Sequence, residues 1–177
     1  MHLDLNALVG GVIDVERRYP PSSFAEAAQD YRVVDTVEVR LRVQEQGVHY
    51  AVTGHVTAPL ELACGRCLEP FPWTVDADVD LLYVPEAEGQ EGSDRELEAD
   101  DFTVATYRDR AIDLGELLHE QFLLAMPMKP LCKADCQGLC PVCGKNRNRE
   151  SCACQPHWDD PRLAALRQFV SDRPRSS

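Results

Sequence analysis

The sequence lacks the segments that carry proteins into or across membranes. Over 177 residues, no run approaches the roughly 20 consecutive apolar residues that span a bilayer. The start of the chain has no basic region followed by a continuous apolar stretch, so it does not resemble a secretory signal peptide. We therefore expect a cytoplasmic protein, in a reducing compartment, with no membrane partner.

Motifs for the common catalytic chemistries are also missing. The chain contains no Gly-rich phosphate loop and no nucleophile-elbow pattern. None of His49, His55 and His119 stands in a pattern that predicts a catalytic triad. No motif therefore predicts a catalytic site, and we expect no small-molecule substrate.

Basic residues are scarce. The chain has 18 Lys and Arg against 30 Asp and Glu, which gives a net charge of -12. A generic nucleic-acid binder needs a basic footprint for phosphate, so this balance disfavours one. The charge is uneven, because residues 76–120 carry 3 basic and 15 acidic residues, whereas residues 121–177 carry 9 and 5. Contact with nucleic acid would have to use the tail or a local patch.

The sequence is rich in cysteine. It has eight, and six of them lie between Cys132 and Cys154. In a reducing compartment, clustered cysteines indicate metal ligands or redox thiols rather than disulfides. In the knuckle Cys140-Pro-Val-Cys143-Gly two thiolates converge from one tight turn, and Cys152 with Cys154 can complete a tetrahedron. A closed site of four cysteines suits zinc and has no position for substrate, so we predict a structural Zn²⁺ ion.

The allocation of the ligands is open, because the tail has more cysteines than one site needs. The knuckle indicates Cys140 and Cys143 most directly. A second zinc ion would require the turn that carries Cys64 and Cys67 to fold against the tail. The other candidate ligands are Cys132, Cys136 and His157.

The pair Cys64-x2-Cys67 has further interpretations. A thioredoxin-like motif should open a helix in a βαβ unit, whereas this pair lies between predicted strands. A thiol redox protein is therefore an alternative, as is the packing of two small buried thiols. Arg66, at the tip of the turn, is a candidate for contact with a partner.

Basic residues near the knuckle allow two interpretations. Lys145, Arg147 and Arg149, together with Lys133, can offset the negative charge of four thiolates on one zinc ion. The same side chains are candidates for binding a partner such as RNA. A zinc-ribbon nucleic-acid-binding regulator is the corresponding alternative, which the net charge disfavours.

Alternation of apolar and polar residues predicts antiparallel β structure. The runs Val37 to Val43 and Val48 to Val56 flank a Glu45-Gln46-Gly47 turn and predict a hairpin. A short third run, Leu60 to Cys64, leads into the cysteine turn. The stretch from Trp73 to Tyr83 predicts a long strand with an acidic outer face.

The rest of the chain predicts one further strand, within 102–107, and two helices. Asp113 can cap a helix over 113–126, with Glu116 three residues on and Pro127 after its end. A short helix follows Asp160-Pro161, and 85–101 forms an acidic loop. We therefore predict an α+β protein in three parts. They are an N-terminal segment (1–32), a mainly antiparallel β domain with a packed helix (33–128), and a cysteine-rich zinc module that ends in a short helix (129–177).

Three motifs in combination resemble one family. They are LELACGRCLEPF (Leu60 to Phe71), DLGELLHEQFLLAMPM (Asp113 to Met128) and LCKADCQGLCPVCG (Leu131 to Gly144), followed by DPRLAAL (Asp160 to Leu166). With these motifs the chain resembles the YceD family, the large ribosomal RNA subunit accumulation proteins of bacteria and plastids.

The resemblance implies a cytoplasmic, non-catalytic ribosome biogenesis factor, needed for 23S rRNA accumulation or processing and for assembly of the large ribosomal subunit. It implies precursor 23S rRNA or a large-subunit ribosomal protein as partner, and gene neighbourhood in the family suggests a small zinc-ribbon one. The motif positions that carry over are Cys64, Arg66 and Cys67, with the tail cysteines for metal. The acidic middle favours a protein partner, since it repels phosphate and can shield a basic protein.

Overall fold

The computed structural model describes residues 1–8, 10–24, 30–86 and 104–154. In these ranges the chain is mostly β-sheet, with one α-helix. The predicted helix after Asp160, the candidate ligand His157 and all but the first two residues of the predicted acidic loop lie outside the described residues. None of the helices in the described ranges is long and apolar enough to cross a membrane.

Eight strands and one α-helix follow one another along the described chain. They are β1 (His2–Asp4), β2 (Val12–Tyr19), β3 (Tyr31–Val33), β4 (Val37–Gln46), β5 (His49–Ala63), β6 (Pro70–Pro85), β7 (Val104–Tyr107), β8 (Ala111–Asp113) and α1 (Leu114–Ala125). Short 3-10 turns at Leu5–Ala7 and Pro21–Phe24 flank β2. The strand predicted within 102–107 corresponds to β7. The first two residues of the predicted range, 102 and 103, lie outside the described ranges.

Six strands form the main sheet. Five of them lie in the order β2-β4-β5-β6-β7, and β3 pairs with the last part of β5. These pairings are antiparallel except that of β6 with β7, which is parallel. The strands β1 and β8 form a separate two-stranded sheet. The predicted hairpin is confirmed: β4 and β5 pair up to Gln46 and His49 around a turn at Gly47, whose φ of +72° suits glycine.

The alternation in β4 determines which face of the sheet is buried. Val37, Val39 and Val43 are fully buried and Leu41 is nearly so, while the charged residues between them are largely exposed. The apolar side chains of β5 and β6 continue this face into one hydrophobic core. Burial of apolar area is the main favourable contribution to folding, so this face defines the fold.

Helix α1 begins where the sequence predicts. The carboxylate of Asp113 accepts a hydrogen bond from the backbone N–H of Gly115 at 2.7 Å, and the helix ends at Ala125, shortly before a proline. On its buried side, the ring of Phe122 packs edge-on against Tyr31, with centroids 5.5 Å apart. The helix thus contributes aromatic and aliphatic area to the core of the sheet.

The predicted short third run is not a separate strand. Leu60 to Ala63 continue β5, which extends without interruption from His49. Pro59 is tolerated because it lies between the end of the pairing with β4, at Thr57, and the start of the pairing with β3, at Leu60. The N–H that proline lacks would fall in this gap, where no strand needs it. The carbonyl of Pro59 accepts a hydrogen bond from the N–H of Val34 at 3.0 Å.

The first 32 residues, which we predicted only as an N-terminal segment, contribute strands to both sheets. Strand β2 pairs with β4 along its whole length. On the outer face, the guanidinium of Arg42 donates to the carboxylate of Asp14 at 2.7 Å. In β2 only Val15 is buried, so the strand shows little of the alternation that would have revealed it.

Backbone contacts divide the chain into two compact units. The first unit comprises Met1–Gly65 and Glu69–Cys132, and the hydrophobic core lies in it. The second unit comprises Arg66–Leu68 and the chain from Lys133 onwards, of which the structure describes residues up to 154. The three-part division at residues 32 and 128 stays a prediction.

Candidate metal centre

Four cysteines of the second unit lie together. The sulfur atoms of Cys140, Cys143, Cys152 and Cys154 are all within 4.8 Å of one another. None of them forms a disulfide. They are the four residues that the sequence predicts as the first choice of ligands, and this group could hold a metal ion.

A tight turn brings Cys140 and Cys143 together. The backbone N–H of Gly144 donates to the carbonyl of Cys140 at 2.9 Å, and the φ of Gly144 is +72°, a conformation that glycine adopts without steric cost. The N–H of Cys140 in turn donates to the carbonyl of Lys145 at 2.8 Å. These bonds account for the glycine that follows the second cysteine of the knuckle.

A short antiparallel bridge holds the chain on both sides of the knuckle. Leu139 pairs with Asn146, and the N–H of Arg147 donates to the carbonyl of Gly138 at 2.9 Å. The carbonyl of Asn146 accepts a hydrogen bond from the N–H of Glu150 at 3.0 Å, which closes the next turn. These turns bring the second pair of cysteines back to the first.

Hydrogen bonds in the turn favour the thiolate of Cys140. The backbone N–H groups of Cys143 and Val142 donate to its sulfur and lower the pKa of Cys140 to about 6. The neighbouring thiols have the opposite effect on the second pair. A hydrogen bond with Cys143 raises the pKa of Cys154 to about 12, and one with Cys140 raises the pKa of Cys152. A cation beside the group would lower the raised pKa values of Cys152 and Cys154 and so favour their thiolate forms.

Lys145 lies in the electric field of this cysteine group. Its ammonium group forms an ion pair with Glu150, with 3.1 Å between Nζ and Oε2. The hydrogen bond and charge of Glu150 raise the pKa of Lys145, and the charges of Cys143 and Cys152 add to that shift. The position of Lys145 fits the interpretation in which basic residues offset thiolate charge.

The other predicted partner-binding residues are Arg66, Arg147 and Arg149, and all three are exposed. The guanidinium of Arg66 donates to the backbone carbonyl of Cys136 at 2.9 Å. Its own carbonyl accepts from the N–H of Leu139 at 3.1 Å. Arg66 therefore has a structural role within the second unit, and the binding of a partner by these three residues stays a prediction.

The remaining cysteines also lie in pairs within each unit. In the first unit, the sulfur atoms of Cys64 and Cys132 are within 4.8 Å of each other, and in the second unit those of Cys67 and Cys136 are. Cys64 and Cys67 are buried. Burial disfavours the thiol redox alternative, because disulfide exchange requires access to a sulfur atom. The assignment of these four cysteines as further zinc ligands stays a prediction.

No sequence motif indicates Asn148 as a residue of this unit's cysteine sites. Its side-chain amide donates to the sulfur of Cys136 at 3.2 Å, and its Oδ1 accepts from the N–H of Gln137 at 2.9 Å. A hydrogen bond of this kind stabilises a thiolate. Asparagine is typical of turns, which was the only sequence signal for this residue.

Comparison with known proteins identifies the family. A family model described as "Large ribosomal RNA subunit accumulation protein YceD" matches residues 52–170. The chain belongs to the YceD family. The matched residues include most of β5, all of β6 and α1, and the four cysteines Cys140, Cys143, Cys152 and Cys154, so the YceD match covers parts of both units.

Curated relatives come from bacteria and plants. An uncharacterised protein of Mycobacterium tuberculosis is 34% identical over 108 residues, which are 61% of this chain and 50% of that protein. One from Mycobacterium leprae is 27% identical over 138 residues, 76% of this chain and 60% of that protein. A Zea mays protein named large ribosomal RNA subunit accumulation protein YCED homolog 1, chloroplastic, is 24% identical over 172 residues, 84% of this chain and 54% of that protein. The chain spans about half the length of the curated relatives it matches. No solved structure matches the chain.

Proposed function

We propose that this YceD-family chain is a non-catalytic ribosome biogenesis factor, which promotes accumulation and processing of 23S rRNA and assembly of the large ribosomal subunit in the cytoplasm. The observation that carries the proposal is the family match, whose description names large ribosomal RNA subunit accumulation. The name of the maize relative points in the same direction. Precursor 23S rRNA or a large-subunit ribosomal protein is the partner that this role requires.

Zinc is the metal that fits the group formed by Cys140, Cys143, Cys152 and Cys154. Zn–S bonds of about 2.3 Å in a tetrahedron place the sulfur atoms roughly 3.8 Å apart, and here all four lie within 4.8 Å of one another. Four soft thiolate ligands favour zinc over magnesium or calcium, which take oxygen ligands. The backbone N–H groups that donate to Cys140 supply the outer contacts that such sites use.

The zinc ion would have a structural role. Four protein ligands leave no open position for water or substrate. The second unit has few buried side chains among its described residues, and they include Cys136 and Cys140. A metal would therefore take the place of a hydrophobic core there and hold the knuckle in one conformation.

Exposed basic side chains of the second unit are the proposed contact with the ribosomal partner. Arg147 and Arg149 follow the knuckle directly and are exposed, and Arg66 and Lys145 lie in the same unit. Charge-assisted hydrogen bonds from arginine suit phosphate oxygens. This contact would work only while the knuckle is folded, which connects the metal to the function.

Depletion of the protein in the organism that encodes it tests the proposed function. We expect free large subunits and 70S ribosomes to fall relative to free small subunits, and precursor 23S rRNA to increase in the same cells. Sucrose-gradient profiles and primer extension at the 23S rRNA ends measure these two effects. Normal profiles with normal 23S rRNA ends after depletion would refute the role in large-subunit biogenesis.

Complementation with variants tests the two finer parts of the proposal. Arg147→Gln together with Arg149→Gln should leave zinc content unchanged and reduce complementation. Cys140→Ser should reduce both. Lys129→Gln, a charge change in the first unit, is the matched control and should complement fully. Full complementation by the double arginine variant would contradict the proposed contact surface.

A further inference from the structure

A cavity in the first unit combines a buried phenol with acidic side chains. Its volume is about 260 Å³. It is lined by Tyr83 on β6, by Val104 to Thr106 on β7, by Asp113 at the N-cap of α1, and by Glu116 and Glu120 on α1. This volume is several times the roughly 30 Å³ that one water molecule occupies in the liquid. The cavity can therefore take the end of a long side chain.

The carboxylates of this cavity differ in their partners. Asp113 accepts from the N–H groups of Gly115 and Glu116, and it lies 3.5 Å from the amino group of Met1. Among the described residues, no Lys or Arg forms an ion pair with Glu116 or Glu120. The cavity therefore holds two carboxylates with no strong cationic partner in the described part of the chain.

The two glutamates also affect each other. Partial burial raises the pKa of Glu120, and the negative charge of Glu116 raises it further, while His119 has a smaller opposing effect. Two carboxylates one helical turn apart repel each other. A cation between them would relieve this repulsion and replace part of the water that burial removes.

Tyr83 is an independent indication of a ligand. Its side chain lines the cavity although the residue is only 5% exposed. Within the described ranges its hydroxyl has no hydrogen-bond partner. Burial and the charges of Glu120, Glu116 and Asp113 raise the pKa of Tyr83, so it stays a neutral phenol. The ring is buried while the hydroxyl opens into the acidic cavity, where a ligand can supply its hydrogen-bond partner.

The shape of the site favours an organic cation over a metal ion. The three carboxylates are not among the described side chains whose potential ligand atoms converge within 4.8 Å. A guanidinium group is planar, carries five N–H donors and can contact two separated carboxylates at once. It also packs well against an aromatic ring.

We propose that this cavity binds the guanidinium group of an arginine side chain from a basic partner protein. Glu116 and Glu120 accept hydrogen bonds from its N–H groups, and Tyr83 provides the phenol oxygen and an aromatic wall. The site lies in the first unit and uses none of the cysteines, so it does not depend on the proposed function. The purified chain can bind arginine in this way even if depletion leaves ribosomes unchanged.

The test is an NMR titration of the full chain with a capped Gly-Arg-Gly peptide, followed through the backbone amides of α1 and β7. The matched probes are the same peptide with citrulline, which keeps the shape without the charge, and with lysine. We expect the arginine peptide to bind at least about ten times more tightly than either, because a charge-assisted pair of hydrogen bonds is lost. Equal binding of the citrulline or lysine peptide would overturn the assignment to guanidinium.

Variants locate the binding. Glu120→Gln and Glu116→Gln should each weaken binding about ten-fold, and Tyr83→Phe, which keeps the ring, about three-fold. Glutamine is a good helix former, and circular dichroism checks that all three variants fold. Asp80→Asn removes an exposed carboxylate of β6 that does not line the cavity and should leave affinity unchanged. An equal loss in Asp80→Asn, or displacement of the peptide by millimolar Mg²⁺, would refute the site.

Discussion

Replacing Cys140 with serine should weaken the proposed zinc binding of the second unit and leave the β-sheet folded. Cys140 is buried, and its sulfur accepts hydrogen bonds from two backbone N–H groups, which lower its pKa to about 6. At pH 7 it is therefore a thiolate before the metal binds, whereas a serine hydroxyl stays neutral. Cys140 is therefore a proposed ligand that favours the thiolate form even without metal.

The size of the effect follows from the number of ligands. Structural zinc sites bind with apparent free energies of about 10–16 kcal/mol, so one of four thiolates accounts for roughly 2.5–4 kcal/mol if they contribute equally. That corresponds to a loss of affinity of about 100-fold to 1,000-fold. In a competition titration with a chromophoric chelator at pH 7, wild-type protein should retain its zinc at chelator concentrations that strip the variant completely.

A second measurement separates local from global effects. The hydrophobic core lies in the first unit, so the amide NMR signals of β4, β5 and α1 should keep their dispersion in Cys140→Ser. Signals from Gln137 to Cys154 should collapse towards random-coil positions. Val142→Ser makes a similar chemical change at an exposed position of the same turn, and it should leave both zinc affinity and spectrum unchanged. Unchanged zinc affinity in Cys140→Ser, or loss of the β-sheet signals, would refute the reasoning.

Three further predictions concern the first unit. A Cβ at Gly54 would clash with the backbone carbonyl of Arg40, so Gly54→Ala should lower the free energy of unfolding by roughly 2–3 kcal/mol; an unchanged urea midpoint would contradict this. Asp113→Ala removes the cap of α1 and should cost about 1 kcal/mol in the same assay, whereas Asp113→Asn should retain most of it. The carboxylate of Asp78 hydrogen-bonds the ring of His55 at 2.9 Å and raises the pKa of His55 above 6.5. An NMR titration should therefore give a lower midpoint in Asp78→Asn. Because the pKa is raised in the folded state, this contact stabilises the fold below pH 6.5 and its contribution disappears as pH rises through the folded pKa.

The parts of the fold that the sequence predicts are those where one face is buried and the other is not. Strand β4 alternates strictly, and its apolar residues all face the core, so pattern alone identifies it. Strand β2 forms the edge of the same sheet and has one buried residue, Val15. Its pairing with β4 depends on hydrogen bonds and on cross-strand ion pairs such as Asp14 with Arg42, which leave no periodic signal in the sequence.

For the cysteines, too, a local pattern is predictable from the sequence and a contact that depends on folding is not. The knuckle is a local motif, so spacing predicts that Cys140 and Cys143 converge. That Cys152 and Cys154 complete this group depends on the bridge between Leu139 and Asn146 and on the turns after it. The side-chain amide of Asn148 on Cys136 depends on the same turns, and no spacing rule reports it.

The sequence cannot distinguish carboxylates that are paired in the structure from those that are not. From the sequence alone, the excess of Asp and Glu appears only as a negative net charge, and solvation of the surface explains that charge adequately. In the structure, individual carboxylates have different partners. Asp78 pairs with His55 of the neighbouring strand. Glu116 and Glu120 face a cavity beside the buried Tyr83 and pair with no Lys or Arg in the described chain. A carboxylate that is already paired loses that partner when it binds another, whereas an unpaired and partly desolvated one gains its first. Recognition of a basic protein should therefore concentrate at these two glutamates rather than spread over the acidic surface.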